Sequence, residues 1–278
     1  MRVVRHLDPT EFWQRVSAVL LRNEAENCLP IGIAHTLIHE PERYRTFHLF
    51  SVQDGEHVLG AGWMTPPHPL GLTALPAAAI PLVVEHARSL GDSVSSLVGP
   101  KDTAIAFKDA WLAVVGGSVK STIAQRIFRL SSLVTPPEVE GAMRLAAEPD
   151  RALLEDWHLA FIVDCGLTGN RQQAVDACDR GLKKQSLYVW HVGPEPVAMV
   201  GCIGPTPSGI RVGWVYTPPE RRRRGYATAL VAEASKKQLE QGRKFCFLYT
   251  DLANPTSNGI YQKIGYQPVS DSMHFIFA

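Results

Sequence analysis

This 278-residue chain lacks an excess of charge of either sign, a cysteine framework and a long apolar run. Lys and Arg number 28 against 27 Asp and Glu, a net charge of +1. There is thus no general electrostatic pull toward nucleic acid or an anionic membrane, and any phosphate binding must come from a local patch. The cysteines Cys28, Cys165, Cys178, Cys202 and Cys246 are odd in number and scattered, with no C-x-x-C. That argues against a disulfide scaffold or zinc ribbon and fits a reducing cytosol. Met1–Asp8 carries charges but no apolar segment, so it does not read as a signal peptide. The apolar stretch Ala74–Val84 is broken by Pro76 and Pro81 and falls short of the ~20 residues needed to span a bilayer. A cytoplasmic protein with neither membrane nor nucleic-acid partner is expected. G-x-S-x-G, the P-loop and the G-x-G-x-x-G dinucleotide fingerprint are also missing. His35 and His39 have the spacing of a metal pair, but Thr36 stands where a zincin needs Glu, so no metal site is expected.

Hydrophobic residues make up 45% of the chain and charged residues 20%, enough for a buried core and too apolar for wholesale disorder. The length suits about two domains. A linker with Pro136-Pro137, Glu138, Glu140 and Gly141 lies near the middle. On either side the same plan is read. Phe47–Pro67 and Leu187–Pro207 are each two strands around a turn, at Asp54-Gly55 and Gly193-Pro194. At an offset of 139 residues Glu56 falls on Glu195, Val58 on Val197 and Pro66 on Pro205. Each half continues with a helix (77–90; 225–241), a strand (94–98; 245–250), a short helix (103–114; 257–264) and a last strand (125–130; 274–277). The second half opens with a strand at Met143–Leu145 and a helix from Glu148 to about Ala160. The expected division is 1–135 and 142–278, two copies of one mixed α/β unit.

The halves differ at one place. Between Gly71 and Ala87 the first half has no Arg, Lys or Gly, whereas the second carries Arg221-Arg222-Arg223-Arg224-Gly225-Tyr226-Ala227-Thr228. Ile210–Tyr216 reads as a strand that stops at Thr217-Pro218-Pro219-Glu220. A helix follows, with Leu230, Val231, Ala234 and Gln238 on its buried side and Gly242 as its stop. A helix N-terminus presents unpaired N–H groups and the positive end of a dipole, so it can receive a phosphate. Gly225 lets a ligand approach the backbone, and Ala227 does not obstruct it. An arginine run alone is more often a solvated turn, an import signal or an RNA contact. The strand, glycine and helix around this one tip the reading toward phosphate.

Arg222-Arg223-Arg224-Gly225-Tyr226-Ala227 resembles the Q/R-x-x-G-x-G/A signature of the GNAT acetyltransferase superfamily. With Val215–Glu220 before it and Leu248–Val269 after it, the stretch is similar to bacterial acetyltransferases that carry an extra, degenerate N-terminal GNAT-like domain. The resemblance covers 143–277; for the first half it rests on topology. It implies tandem GNAT-like domains, degenerate over 1–135 and catalytic over 142–278. Each would be a twisted, mostly antiparallel sheet with a splayed central strand pair and flanking helices. It implies acetyl-CoA as co-substrate, an amine acceptor and no metal. The backbone of Val215, Tyr216 and Thr217 would pair with the pantetheine arm, and the amides of Arg223, Arg224, Gly225, Tyr226, Ala227 and Thr228 would hold the pyrophosphate, with Arg222 leading. Asn254 would contact the arm and Ser257 line it. Backbone near Val215 would hold the oxyanion, and Tyr261 would act as general acid to the CoA thiolate. The alternative for Tyr261 is a core aromatic beside Ile260 and Ile264. No base is carried over, because Tyr249 stands at the family's acidic position. Asp251, Glu155, Asp156, His158 and Asp164 are the candidates. The competing function is an acyl-CoA sensor without turnover. The acceptor pocket is expected around Leu153–Arg180.

Overall fold

The computed structural model describes residues 1–90, 94–167 and 169–278. By residue contacts it divides into two compact units. One holds Met1–Ile127, Gly204–Thr206 and Val269–Ala278; the other holds Phe128–Ile203 and Pro207–Pro268. The division at the linker follows the chain; this one follows contacts, and it draws the last strand into the first unit.

In the first unit β1 (Arg2–His6), α1 (Pro9–Arg22) and α2 (Cys28–His39) precede the hairpin of β2 (His48–Asp54) and β3 (His57–Met64). The sequence reading had placed no elements before Phe47. The start of α1 is nevertheless locally specified: the Asp8 carboxylate accepts the N–H groups of Thr10 (2.6 Å) and Glu11 (3.2 Å), and Pro9 follows it. Then come β4 (Leu70–Leu72), α3 (Ile80–Arg88), β5 (Ser96–Pro100), α4 (Lys101–Val115) and β6 (Val119–Leu130). β1 to β4 pair antiparallel in sequence, and β4 pairs parallel with β5. β12 (Gln267–Phe277) pairs antiparallel with β5, Phe275 opposite Leu97.

The second unit repeats the order with β7 (Ala142–Leu145), α5 (Arg151–Asp164), α6 (Arg171–Lys183), β8 (Leu187–Val192), β9 (Glu195–Pro205), β10 (Gly209–Tyr216), α7 (Tyr226–Glu240), β11 (Phe245–Asp251) and α8 (Pro255–Lys263). β7, β8 and β9 pair antiparallel, while β10 and β11 run parallel. Each unit is thus a mixed, mostly antiparallel sheet with one parallel pair at its centre and helices packed on it. The hairpins settle the repeat. Asp54 faces His57 as Val192 faces Glu195, an offset of 138 residues rather than 139, and each carries its irregularity at the matching step, Val52/Gln53 and Trp190/His191.

α7 packs its buried face (Ala229, Leu230, Val231, Ala234) onto Val197, Val212 and Cys246. Leu230 and Val231 are fully buried, each stabilising the fold by about 1.5–3 kcal/mol. On the other face Leu154 and Trp157 of α5 pack with Val189, Met199 and Tyr216.

Candidate functional site

The site starts where β10 parts from β11. The strands pair at Gly209–Phe245, Ile210–Cys246 and Arg211–Phe247, and the register ends there. β10 nevertheless runs on to Tyr216 and β11 to Asp251. Three residues past Arg211 the strand bulges at Trp214, whose φ of 55° is left-handed. Such a backbone costs a bulky residue on the order of 1–3 kcal/mol. Val212 and Val215, three residues apart, both pack on the α7 side, while Trp214 and Tyr216 turn toward α5. Beyond Arg211 the strand has no register with β11, and it changes which face its side chains cover.

The chain beyond β10 is an irregular loop. Thr217 has a buried hydroxyl with no hydrogen-bond partner among the described residues. Arg223 (φ 65°) and Gly225 (φ 84°) are both left-handed. The first bond of α7 runs from the Ala229 N–H to the Gly225 carbonyl at 3.0 Å, so the amides of Tyr226, Ala227 and Thr228 have no acceptor within the helix. A Cβ on Gly225 would sit 3.0 Å from Val139. The arginines divide. Arg221 pairs with Glu195. Arg222 donates to the Thr217 carbonyl (2.9 Å) and to Asp164 (2.6 Å), its guanidinium 5.8 Å from the Tyr216 ring centroid. Arg223 and Arg224 are exposed.

The remaining expected site residues lie at the β11–α8 junction. The Asn254 side chain caps α8, accepting the Ser257 N–H at 3.0 Å. Asn258, which the sequence reading passed over, donates its amide to the carbonyls of Asp251 (3.0 Å) and Asn254 (2.9 Å). Those two bonds orient the group and leave its Oδ1 buried without a partner among the described residues. Tyr261 is 7% exposed, edge-on to Tyr266 at 6.0 Å. Burial, with Cys165 adding to it, pushes the Tyr261 phenol well above its usual pKa, so it keeps its proton. Its ring lies in the core with Ile264, as a packing aromatic would. Cys165, at the end of α5, is pushed up to about 11 by burial and by the charges of Asp164 and Asp251. It is a thiol at neutral pH, not a nucleophile.

Among the carboxylates weighed as bases, Asp156 is paired with Arg171 and Asp164 with Arg222. Glu155 bears on Arg151, Arg171 and Cys178, toward α6. Asp251 accepts the Ala253 N–H at 2.8 Å. His158 is 6% exposed and edge-on to Trp214 at 4.4 Å; burial lowers it to about 4, and its Nδ1 has no partner among the described residues. Thr168, inside the segment expected to line the acceptor pocket, lies outside the described residues. His35 and His39 pack ring to ring at 4.3 Å, and among the described residues no cluster of three or more His, Cys, Asp or Glu side chains could hold a metal. No helix among them is long and apolar enough to cross a membrane.

The β10 end, the arginine loop and the α7 N-terminus follow one another in the chain, and Arg222 on Asp164, with Asp164 and Asp251 both bearing on Cys165 and Cys165 on Tyr261, ties the loop to the β11–α8 junction. The sequence reading missed the Trp214 bulge, Asn258 and the Trp214–His158 contact. One sign was present: Val215 follows Val212 by three residues where a plain strand needs two.

The family described as "FR47-like protein" matches residues 192–275. Among solved structures, a Drosophila protein aligns with a TM-score of 0.73 at 12% identity, over 99% of this chain and 98% of its own. A GCN5-related N-acetyltransferase from Sphaerobacter thermophilus gives 0.64 at 12%, over 99% and 96%. A tandem GNAT protein from the clavulanic acid biosynthesis pathway gives 0.57 at 12%, over 99% and 97%. No curated protein matches the sequence significantly. The fold is that of the GNAT acetyltransferases, in tandem form.

Proposed function

We propose, from that fold, that the chain is an acyl-CoA-dependent N-acyltransferase that moves an acetyl group from acetyl-CoA to an amine. In this reading 142–278 is the catalytic domain and 1–135 a degenerate partner. The observation that carries the reading is the crevice itself: a central strand pair that parts after Arg211, leading to a helix whose first turn, behind left-handed Gly225, offers free amides beside arginine side chains.

The residues fit such a carrier. Thr217 Oγ1 and Asn258 Oδ1 are buried polar atoms in need of partners, and a diamide arm supplies both donors and acceptors. The backbone of Val215–Thr217 would pair with that arm. The amides of Arg223–Thr228 would hold the diphosphate, with Arg222 released from Asp164 to join them. With Asn254 committed to capping, its contact with the arm would come through its exposed edge, beside Ser257. The bound carrier supplies an activated thioester. A neutral amine attacks its carbonyl carbon, a C–N bond forms, and the C–S bond breaks with its electron pair going to sulfur. Backbone near Val215 steadies the oxygen. Tyr261, protonated by virtue of its burial, directs its hydroxyl at the departing sulfur and returns a proton. Asp251 or solvent takes the proton the amine sheds.

Two measurements test this. Acetyl-CoA at about 100 times its dissociation constant should raise stability by ~2.7 kcal/mol in a thermal-shift assay. Tyr261→Phe should lower thiol release at least tenfold while leaving acetyl-CoA affinity unchanged. No shift with acetyl-CoA ends the reading. Binding without thiol release for any amine makes the chain a sensor.

A further inference from the structure

Resting on the acyltransferase reading, we propose that Gly213 and Trp214 form an acyl-length gate: the space beside Gly213 takes the acyl group, and the Trp214 indole closes that space to longer chains. The direction of the crevice comes first. A diphosphate at the α7 N-terminus and an arm along Thr217, Tyr216 and Val215 bring the thioester to the inner end of the splay. That end is the bulge, Gly213 and Trp214, just past the last paired residue Arg211.

Gly213 differs from the other glycines of the strands. A Cβ on Gly60, Gly62, Gly201 or Gly209 would lie 3.1 Å or less from a neighbouring atom. Those glycines are there because something occupies the side-chain position. Its chain neighbours Val212 and Trp214 aside, a Cβ on Gly213 would meet nothing within 4 Å, although the residue lies mid-strand and is half-buried. Its φ is not left-handed, so the backbone does not require glycine either. No residue beyond its chain neighbours and no left-handed backbone calls for glycine here; room for a ligand beside the strand would.

Trp214, next in the chain, is the bulky side chain that would close that room. Trp214 lies across Gly201 of β9, whose Cβ would be 3.1 Å from its ring, and His158 braces it edge-on at 4.4 Å. Leu187 flanks the same position at 3.3 Å. On this proposal the room takes a two-carbon acyl group, and a chain of six carbons would run into the indole. The left-handed backbone that Trp214 tolerates is what swings the ring into this place.

The test uses the full chain with CoA, acetyl-CoA, butyryl-CoA and hexanoyl-CoA, read by thermal shift and by thiol release with one accepted amine. The wild type should bind CoA and favour acetyl over hexanoyl at least tenfold. Gly213→Ala adds a methyl where nothing clashes, so it should fold normally and bind CoA unchanged. It should lower acetyl transfer at least tenfold, and butyryl transfer more. Trp214→Gly, which suits the left-handed backbone, should raise hexanoyl transfer relative to acetyl at least tenfold. Equal use of hexanoyl and acetyl groups by the wild type overturns the gate, as does Gly213→Ala with unaltered acyl transfer. Absence of any CoA shift in the wild type refutes the acyltransferase reading instead, so the two failures are told apart.

Discussion

The two units share a plan and differ in how each treats the crevice beside its central parallel pair. In the first unit the strand is short: β4 ends at Leu72, two residues after its first pair with β5, whereas β10 runs five residues beyond its last pair with β11. The chain after β4 is stitched down. The Thr73 hydroxyl accepts the Ala61 N–H at 2.9 Å, the Leu75 N–H donates to Thr103 Oγ1 at 3.0 Å, and the Leu75 side chain fills the place a Cβ on Gly60 would take. α3 starts at right-handed Ala79, in a stretch of sequence from Gly71 to Ala87 that has no arginine. In the second unit the threonine that follows the strand, Thr217, has a hydroxyl with no partner among the described residues, and the helix starts at left-handed Gly225. The chain that follows β4 has bonded its threonine within its own unit, whereas the hydroxyl of Thr217 after β10 has no such partner among the described residues.

The largest way to break the comparison is to give the second unit the closed helix start of the first. Gly225→Val places a β-branched residue at φ 84° and pushes side-chain atoms toward Val139 and over the free amides. Acetyl-CoA affinity, measured by calorimetry, should fall at least 100-fold, about 2.7 kcal/mol. Ala79→Gly at the first unit's helix start should leave it unchanged. A Gly225→Val protein that folds and binds as the wild type does would remove α7 from the site.

Much of this contrast was legible in the sequence, and what was not has physical causes. The arginine loop, Gly225 and the α7 pattern of Leu230, Val231, Ala234 and Gln238 were readable because glycine, charge and helical period are local signals. The repeat was readable because both hairpins carry turn residues, yet its offset was one residue off: aligning Glu56 with Glu195 ignored the turn glycines Gly55 and Gly193, which share φ 57°. Residues 1–46 yielded no elements, although Asp8-Pro9 marks the start of α1. β12 was assigned to the half it follows in the chain; its pairing with β5 is a contact between residues some 175 positions apart, and no local pattern encodes it. Asn254 was readable as a conspicuous asparagine, but the unpartnered oxygen belongs to Asn258, and only the bonds to two carbonyls reveal it.

Acid sharpens the comparison at intermediate size. His158 in the second unit is held neutral by burial, at about 4, against roughly 6.5 when unfolded. A base whose folded pKa is depressed loses stability as pH falls: its contribution is whole above 6.5, shrinks between 6.5 and 4, and is gone below. At pH 5 the loss should be about 2 kcal/mol. Burial also lowers His68, His86 and His274 in the first unit, so both units soften in acid. His158→Phe keeps a flat ring against Trp214 and removes the titration. Urea denaturation at pH 7 and pH 5 should show the second unit's share vanish and the first unit's persist. An unchanged pH dependence in His158→Phe would mean that His158 is solvated when folded.

The smallest expected effect separates the units most cleanly, because one substitution is made at the threonine that follows β4 and at the threonine that follows β10. Thr73→Val strips the partner from the buried Ala61 N–H, and an unpaired buried donor costs about 1–2 kcal/mol. The loss should appear in urea denaturation and leave acetyl-CoA affinity alone. Thr217→Val replaces a buried hydroxyl that has no partner among the described residues with a methyl of the same shape, so stability should hold or rise slightly. Its cost should fall on affinity, a few-fold, because the arm loses a hydrogen bond that the fold never made for itself. The two variants should therefore trade places between the two assays. If Thr217→Val destabilises the protein as Thr73→Val does and binds acetyl-CoA normally, the second unit's threonine is as self-satisfied as the first's, and the crevice owes nothing to it.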